Sequence, residues 1–280
     1  PIAAQGLVFV PSNVTDQLAA LDLRTGKLVW RYVTEGPVRF AAVYGNGKVY
    51  FGSDDGYLYC VAAADGRLLW RLRGAPETMP DSRMLVNGRM VSRWPLRGAP
   101  VLHADTVYFG AGIWPEEGCY VAAVDAESGR LRWRSDAPSY VKNGMSDHNV
   151  AYDLSLPPHG YLAFIDGRVI VPSGRSLAAW FDPATGAMEP YTSFYVKTNP
   201  PRGTWHVFGQ GQFIVQGGNW FGTRAEARPP FPEGNTLVSP LYWSRQSPEN
   251  EQFVVENHPF LRADTYDVGD ENFYTEPVLT

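Results

Sequence analysis

Two stretches of the chain, PVRFAAVYGNGKVYFG (37–52) and PLRGAPVLHADTVYFG (95–110), align without a gap: Pro37 on Pro95, Arg39 on Arg97, Val43 on Val101, VYFG on VYFG. Such a repeat constrains the fold strongly, because copies of one small unit must bury their apolar faces on one another. The first half of each copy ends at a turn, GNG or HAD, and the second half is β-branched and aromatic, so each reads as a β-hairpin. The second strand returns as GLVFVP (6–11), GKVYFG (47–52), DTVYFG (105–110), GRVIVP (167–172) and GQFIVQ (211–216).

After the first four of these comes another apolar run, LAALD, LYCVA, YVAAVD or LAAWFD, then a glycine turn, then a short strand. The glycine is followed four places later by tryptophan in Gly26/Trp30, Gly66/Trp70 and Gly129/Trp133, whereas Gly186 is followed by Pro190. Glycine supplies positive φ, and Asp22, Asp125 and Asp182, four residues earlier, can accept from turn amides; the second unit has Ala62 there. On the outermost strand, the tryptophan is expected to cover the gap to the neighbouring unit and place its N–H on a partner. These residues read as structural docking positions, and Pro190 predicts a looser outer strand.

Four antiparallel strands per unit at a period of about forty residues describe β-propeller blades. Composition agrees: 19% charged residues with 28 Gly and 23 Pro suit short strands and tight turns. The expectation is an all-β protein, a single propeller segment over residues 1–280 with about five blades. Repeats are clear over 1–190, weaker over 191–220, and residues 221–280 form a divergent blade or an irregular lobe. The opening PIAAQGLVF corresponds to the strand at Pro100, and EPVLT (276–280) matches that strand again. The chain therefore reads as cut in phase from a larger ring of seven or eight blades, ending in the first strand of a further blade. Insertions fall at 77–92, 111–118 and 139–156, where a rigid repeat would build a binding surface.

The stretch GKVYFGSDDGYLYCVAAADGRLLW (47–70) resembles the repeat of the pyrroloquinoline-quinone (PQQ) propellers, whose shared pattern is the tryptophan-docking motif. The resemblance implies a superfamily that holds quinoprotein alcohol dehydrogenases, with PQQ and calcium, and non-enzymatic members such as outer-membrane-assembly lipoproteins of the BamB type. It also implies a periplasmic or envelope location. The dehydrogenases place a disulfide between adjacent cysteines beside the quinone, whereas Cys60 and Cys119 stand far apart here.

The strongest candidate site is a set of cations in the first, innermost strand of successive blades: Arg39, Arg97, His159 and, within one residue of register, Arg202. Facing a central channel, they would form a partial ring for carboxylate or phosphate groups. Asp147, His148 and Asp153 are a weaker metal candidate without paired-histidine spacing. Asp264, Asp267, Asp270 and Glu271 surround a glycine but lack EF-hand spacing. Trp94, Trp114, Trp205, Trp220 and Trp243, outside the repeat, could stack on sugars or a partner. A formal charge of −5 gives no global attraction to nucleic acid, and no apolar run reaches the roughly 18–20 residues of a membrane span.

These features read as a non-catalytic PQQ-like propeller of the bacterial envelope, binding a protein partner or an anionic small molecule. A PQQ-dependent alcohol dehydrogenase fragment, requiring PQQ and Ca2+, is the first alternative, and a carbohydrate-recognising module the second.

Overall fold

The computed structural model describes residues 1–114, 117–139, 141–145, 151–154, 156–173, 176–189, 205–210, 213–216, 219–222, 242–244, 261–267 and 272–279. Local chemistry makes the hairpins. At Asn46–Gly47 and Asp166–Gly167 both turn residues are left-handed (φ 49° and 74°; 48° and 74°), the two-residue turn whose twist matches that of the strands it joins.

The first sheet runs β1 (Ile2–Ala4), β2 (Leu7–Ser12), β3 (Gln17–Asp22), β4 (Leu28–Val33), every neighbour antiparallel. The second repeats it with β5 (Val43–Gly45), β6 (Lys48–Gly52), β7 (Tyr57–Ala62) and β8 (Leu68–Arg73). The 77–92 insertion then folds into its own hairpin, β9 (Arg83–Val86) and β10 (Arg89–Ser92), before a two-residue strand β11 (Gly98–Ala99). A third four-stranded sheet follows: β12 (Val101–His103), β13 (Thr106–Ala111), β14 (Tyr120–Asp125) and β15 (Leu131–Ser135). The last long insertion carries a hairpin, β16 (Val141–Met145) with β17 (Ala151–Leu154), and leads to β18 (Gly160–Tyr161).

The fourth sheet has three strands, β19 (Ala163–Ile165), β20 (Arg168–Ser173) and β21 (Ser176–Phe181), with two further isolated bridges among the described residues, Phe181 to Met188 and, in parallel, Ser173 to His159. Pro190 itself lies outside the described residues. Three more strands, β22 (Phe208–Gln210), β23 (Phe213–Gln216) and β24 (Asn219–Gly222), meander in order. The final sheet is ordered differently: β25 (Tyr242–Ser244) and β26 (Leu261–Asp267) flank β27 (Asn272–Leu279). Residues 276–279, from the stretch compared with an opening strand, thus pair back onto β26.

Middle strands of the second, third and fourth sheets are apolar on both faces because those sheets are covered on both sides. Phe9, Leu18 and Trp30 of the first sheet pack on Val49, Phe51 and Tyr59 of the second. The opposite face of the second sheet, Tyr50, Leu58 and Cys60, packs on Val107, Phe109 and Val124 of the third. Tyr108, Val121 and Ala123 continue the pattern onto Val169, Val171 and Phe181 of the fourth. Residues adjacent in sequence, such as Tyr50 and Phe51, therefore serve different interfaces, as the two-residue strand period requires.

The tryptophans join these layers. Trp30 Nε1 donates to the Ala63 carbonyl of the next sheet at 2.9 Å, Trp70 Nε1 to Ala126 at 3.3 Å, and Trp133 Nε1 to Pro183 at 2.8 Å. Each acceptor lies three residues before the turn glycine of the next unit, and each ring lies flat against that glycine. A Cβ on Gly66 would stand 2.6 Å from Trp30, one on Gly129 2.6 Å from Trp70, and one on Gly186 2.4 Å from Trp133. A β-bulge recurs opposite each ring, after Ala20, Cys60 and Ala123, and re-aims the outer strand. Asp22, Asp125 and Asp182 each accept from a turn hydroxyl, that of Thr25, Ser128 or Thr185, and from turn amides two or three residues on, which together hold Asp22 and Asp182 below the usual carboxylate range and, with Arg132 beside it, Asp125 lower still.

Gly26 is the internal control: it has the same left-handed φ, 68°, but nothing within 4 Å of its Cβ position. Gly26→Ala should cost about 1–2 kcal/mol, the left-handed penalty alone, and Gly66→Ala about 2–4 kcal/mol once the clash with Trp30 is added. Urea unfolding of the two variants checks this; equal costs would remove the ring-on-glycine contact as a stabilising element.

Candidate functional site

Three of the four sequence-predicted cations come together. Arg39, Arg97 and His159 lie just ahead of the inner strands rather than within them: Arg39 precedes β5, Arg97 precedes β11 and His159 precedes β18. The reason is proline. Pro37, Pro95 and Pro158 have no N–H to give to a ladder, so the lead-ins stay out of the antiparallel ladders, His159 reaching β20 only through a parallel bridge to Ser173. Two of the lead-ins also pair with each other. β11 and β18 run parallel, Gly98 opposite Gly160, with Gly160 N–H donating to the Arg97 carbonyl at 3.2 Å. Tyr161 N–H donates in turn to the Trp205 carbonyl at 2.7 Å. Gly160, at φ 129°, is required there, since a Cβ would lie 2.3 Å from that same oxygen.

The residue that organises the site is Asp54, in the turn between β6 and β7, and it is fully buried. Arg39 Nε donates to its Oδ2 at 2.7 Å; Arg97 donates from Nη2 to Oδ2 at 3.1 Å and from Nε to both oxygens at 3.3 Å. The main chain fixes the carboxylate: Asp54 N–H donates to the Pro37 carbonyl and Ser92 N–H to the Asp54 carbonyl. The adjacent Asp55, 2% exposed, accepts from Glu35 N, Tyr57 N and Tyr59 Oη, and burial pushes its carboxyl above the usual range. Sequence reasoning missed both aspartates. Their signal was GSDDG, two acids directly after an apolar strand.

His159 sits beside this triad with its pKa lowered, first by burial, then by repulsion from Arg97 and Arg39, against the pull of Asp54. Aromatic rings wall it: Phe40 at 5.8 Å edge-on and Trp205 at 5.0 Å stacked. Phe40 also meets Tyr161, which stacks on His206 at 4.7 Å. Two guanidiniums, one carboxylate and a neutral imidazole leave one net positive charge. Arg39, with 31% of its side chain exposed, engages Asp54 through Nε and keeps its outer edge toward solvent. Such a group can receive one carboxylate or phosphate oxygen pair.

Arg202, Asp147, His148, Asp270 and Glu271 lie outside the described residues, and Asp153 is placed only as part of β17. Asp264 and Asp267 are in strand β26. Trp94 is buried, its Nε1 donating to Glu117, and so offers no stacking face, whereas Trp205 is 53% exposed. Cys60 and Cys119 are both buried and not joined in a disulfide; burial pushes the Cys60 thiol up to about 12. Among the described residues no three His, Cys, Asp or Glu side chains gather as metal ligands.

The repeated meander of four antiparallel strands defines the class, a β-propeller built of blades. Residues 1–139 match the family described as outer membrane protein assembly factor BamB. The dehydrogenase subunit of an alcohol dehydrogenase (quinone) from Gluconobacter oxydans is 35% identical over 176 residues, covering 57% of this chain and 22% of that protein. A like-named subunit from Gluconacetobacter polyoxogenes is 33% identical over 58% of this chain and 22% of its own length. The chain thus spans about a fifth of the length of these relatives. Among solved structures, the quinohemoprotein alcohol dehydrogenase of Comamonas testosteroni matches with TM-score 0.52 at 20% identity, over 69% of this chain and 34% of the other. BamB of Moraxella catarrhalis matches with TM-score 0.50 at 18% identity, over 76% and 55%. Over residues 1–139 the chain carries the PQQ-like repeat of the β-propeller superfamily that includes BamB and the quinoprotein alcohol dehydrogenases. No helix among the described residues is long and apolar enough to cross a membrane.

Asp54→Asn should destabilise the fold by about 3–5 kcal/mol, because it leaves two half-buried guanidiniums facing each other; a loss below 1 kcal/mol in urea unfolding would contradict the triad. His159 adds a pH signature. Its folded pKa is depressed, so the unfolded chain takes up the proton first, and stability falls as pH drops through about 6.5 toward the folded value. His159→Gln should flatten this part of the stability profile, and an unchanged slope would place its origin elsewhere.

Proposed function

We propose that this chain is part of an exported, envelope-associated PQQ-like propeller that works as a rigid, non-catalytic binding platform. Its recognition point is the face formed by Arg39, Arg97 and His159, which takes carboxylates of a protein partner or of an anionic small molecule. The observation that carries this reading is the buried Asp54, which fixes both guanidiniums yet cancels only one of their charges. A rigid, singly positive fork beside exposed Trp205 suits recognition of an acid with an apolar body. The sheets belong, on this reading, to a closed ring of seven or eight blades, since closure protects sheet edges. Likeness to a BamB family supports a protein-binding role.

A second reading, a PQQ-dependent dehydrogenase, is favoured by the names of the relatives that share about a third of the aligned residues. Calorimetric titration of the chain with citrate and with PQQ, each with and without calcium, separates the two. The platform reading expects calcium-independent, saturable binding of both acids with comparable affinity, weakened at least tenfold by Arg39→Ala. PQQ binding that is tenfold tighter than citrate and requires calcium would establish the dehydrogenase reading instead. Absence of binding by either acid to the folded chain would overturn the assignment of this face.

A further inference from the structure

Asp54 serves Arg39 and Arg97, and most other well-placed arginines also have an acid: Arg83 pairs with Glu35, Arg89 with Asp16, Arg93 with Glu117, Arg132 with Asp105 and Asp125, Arg168 with Glu189. Two arginines at the end of the second and third sheets do not follow this rule. Arg73, last residue of β8, is 8% exposed and binds only carbonyls: Nη1 donates to Met79 at 2.7 Å and Nη2 to Pro80 at 2.6 Å, with the guanidinium 5.6 Å over the Trp94 ring. Arg134 in β15 donates from Nη2 to the Arg73 carbonyl at 2.9 Å, and its Nε is buried with no acceptor. Among the described residues neither makes a carboxylate ion pair.

Buried charges are ordinarily paired, and a guanidinium left with an unsatisfied N–H is costly. Carbonyls solvate Arg73 but cancel none of its charge. Burial and the charge of Arg73 depress the Arg134 pKa, opposed by Glu77 and Tyr120; Glu77, on the exposed loop after Gly74, makes no ion pair with it. The floor is built and apolar: Ala75, Trp94 and Tyr120 form a small buried cluster with Met79 against it. Two cations, one orphaned Nε donor and an aromatic floor have no paired carboxylate among the described residues.

We propose that Arg134, held in the field of Arg73, is the centre of an oxyanion-binding site that takes a single carboxylate or phosphate group, separate from the Asp54 cluster. An oxyanion would engage Nε, which no described protein atom satisfies, beside the Nη2 that donates to the Arg73 carbonyl. Phosphate and carboxylate share this chemistry, so the probes are inorganic phosphate and acetate, titrated calorimetrically into the 280-residue chain at low ionic strength. The expected result is one saturable site for at least one probe. Its affinity should fall at least tenfold in Arg134→Lys, which keeps charge but loses the fork, and should be unchanged or improved in Glu77→Gln. Circular dichroism confirms that both variants fold; if Arg134→Lys does not, Arg134→Met is the replacement. Equal affinity in the native chain and the Arg134 variant, or no saturable binding to either the native chain or Glu77→Gln, would overturn the site.

Discussion

Everything in the first four sheets depends on an indole lying flat on a glycine of the next sheet. The contact combines three requirements in one place: a large apolar face to bury, an N–H that must find an acceptor, and a backbone with φ near 70° and no Cβ. Its acceptor is the carbonyl three residues before the glycine in all three copies. One geometry thus sets both the spacing and the rotation between neighbouring sheets. The same repetition brings the lead-in segments alongside each other, so that Arg97 and His159 precede matched positions of a parallel pair. Docking at the outer rim and the ionic cluster at the lead-ins are two ends of one arrangement.

The docking residues were legible because each is defined by local spacing that recurs, and hairpins were legible because Asn-Gly and Asp-Gly announce their own turns. Arg39, Arg97 and His159 were legible as equivalent positions in a repeat. Their setting was not, because proline moved them out of the strand and only tertiary structure decides which carboxylate folds beneath them. Asp54 is unique to the second unit, so no repeat could mark it. Arg73 and Arg134 were invisible for the opposite reason: they look like ordinary outer-strand cations until the chain after Gly74 covers one and leaves the other without an acid. Beyond Pro190 the repeat loses its glycine and tryptophan signals, and the strand order β25-β27-β26 departs from the simple meander.

The functional picture follows from rigidity and residual charge. Sheets locked by buried rings position guanidiniums with little freedom to relax, and a fixed fork recognises a planar acid better than a mobile one. At the Asp54 cluster the protein supplies half of the balancing charge itself. Around Arg134, among the described residues, Glu77 acts on the guanidinium without forming an ion pair. In the proposed function the lead-ins and insertions carry the specificity and the blades supply the rigid frame.

The most direct test of this account is a double-mutant cycle on Trp70→Ala and Gly129→Ala, read by urea unfolding. If ring-on-glycine contact couples the sheets, Gly129→Ala should cost about 2–4 kcal/mol in the native background but only the left-handed penalty of about 1–2 kcal/mol once the Trp70 ring is gone. The same cost in both backgrounds would show that the glycine and the tryptophan act independently, and the account of how the sheets are held together would be wrong.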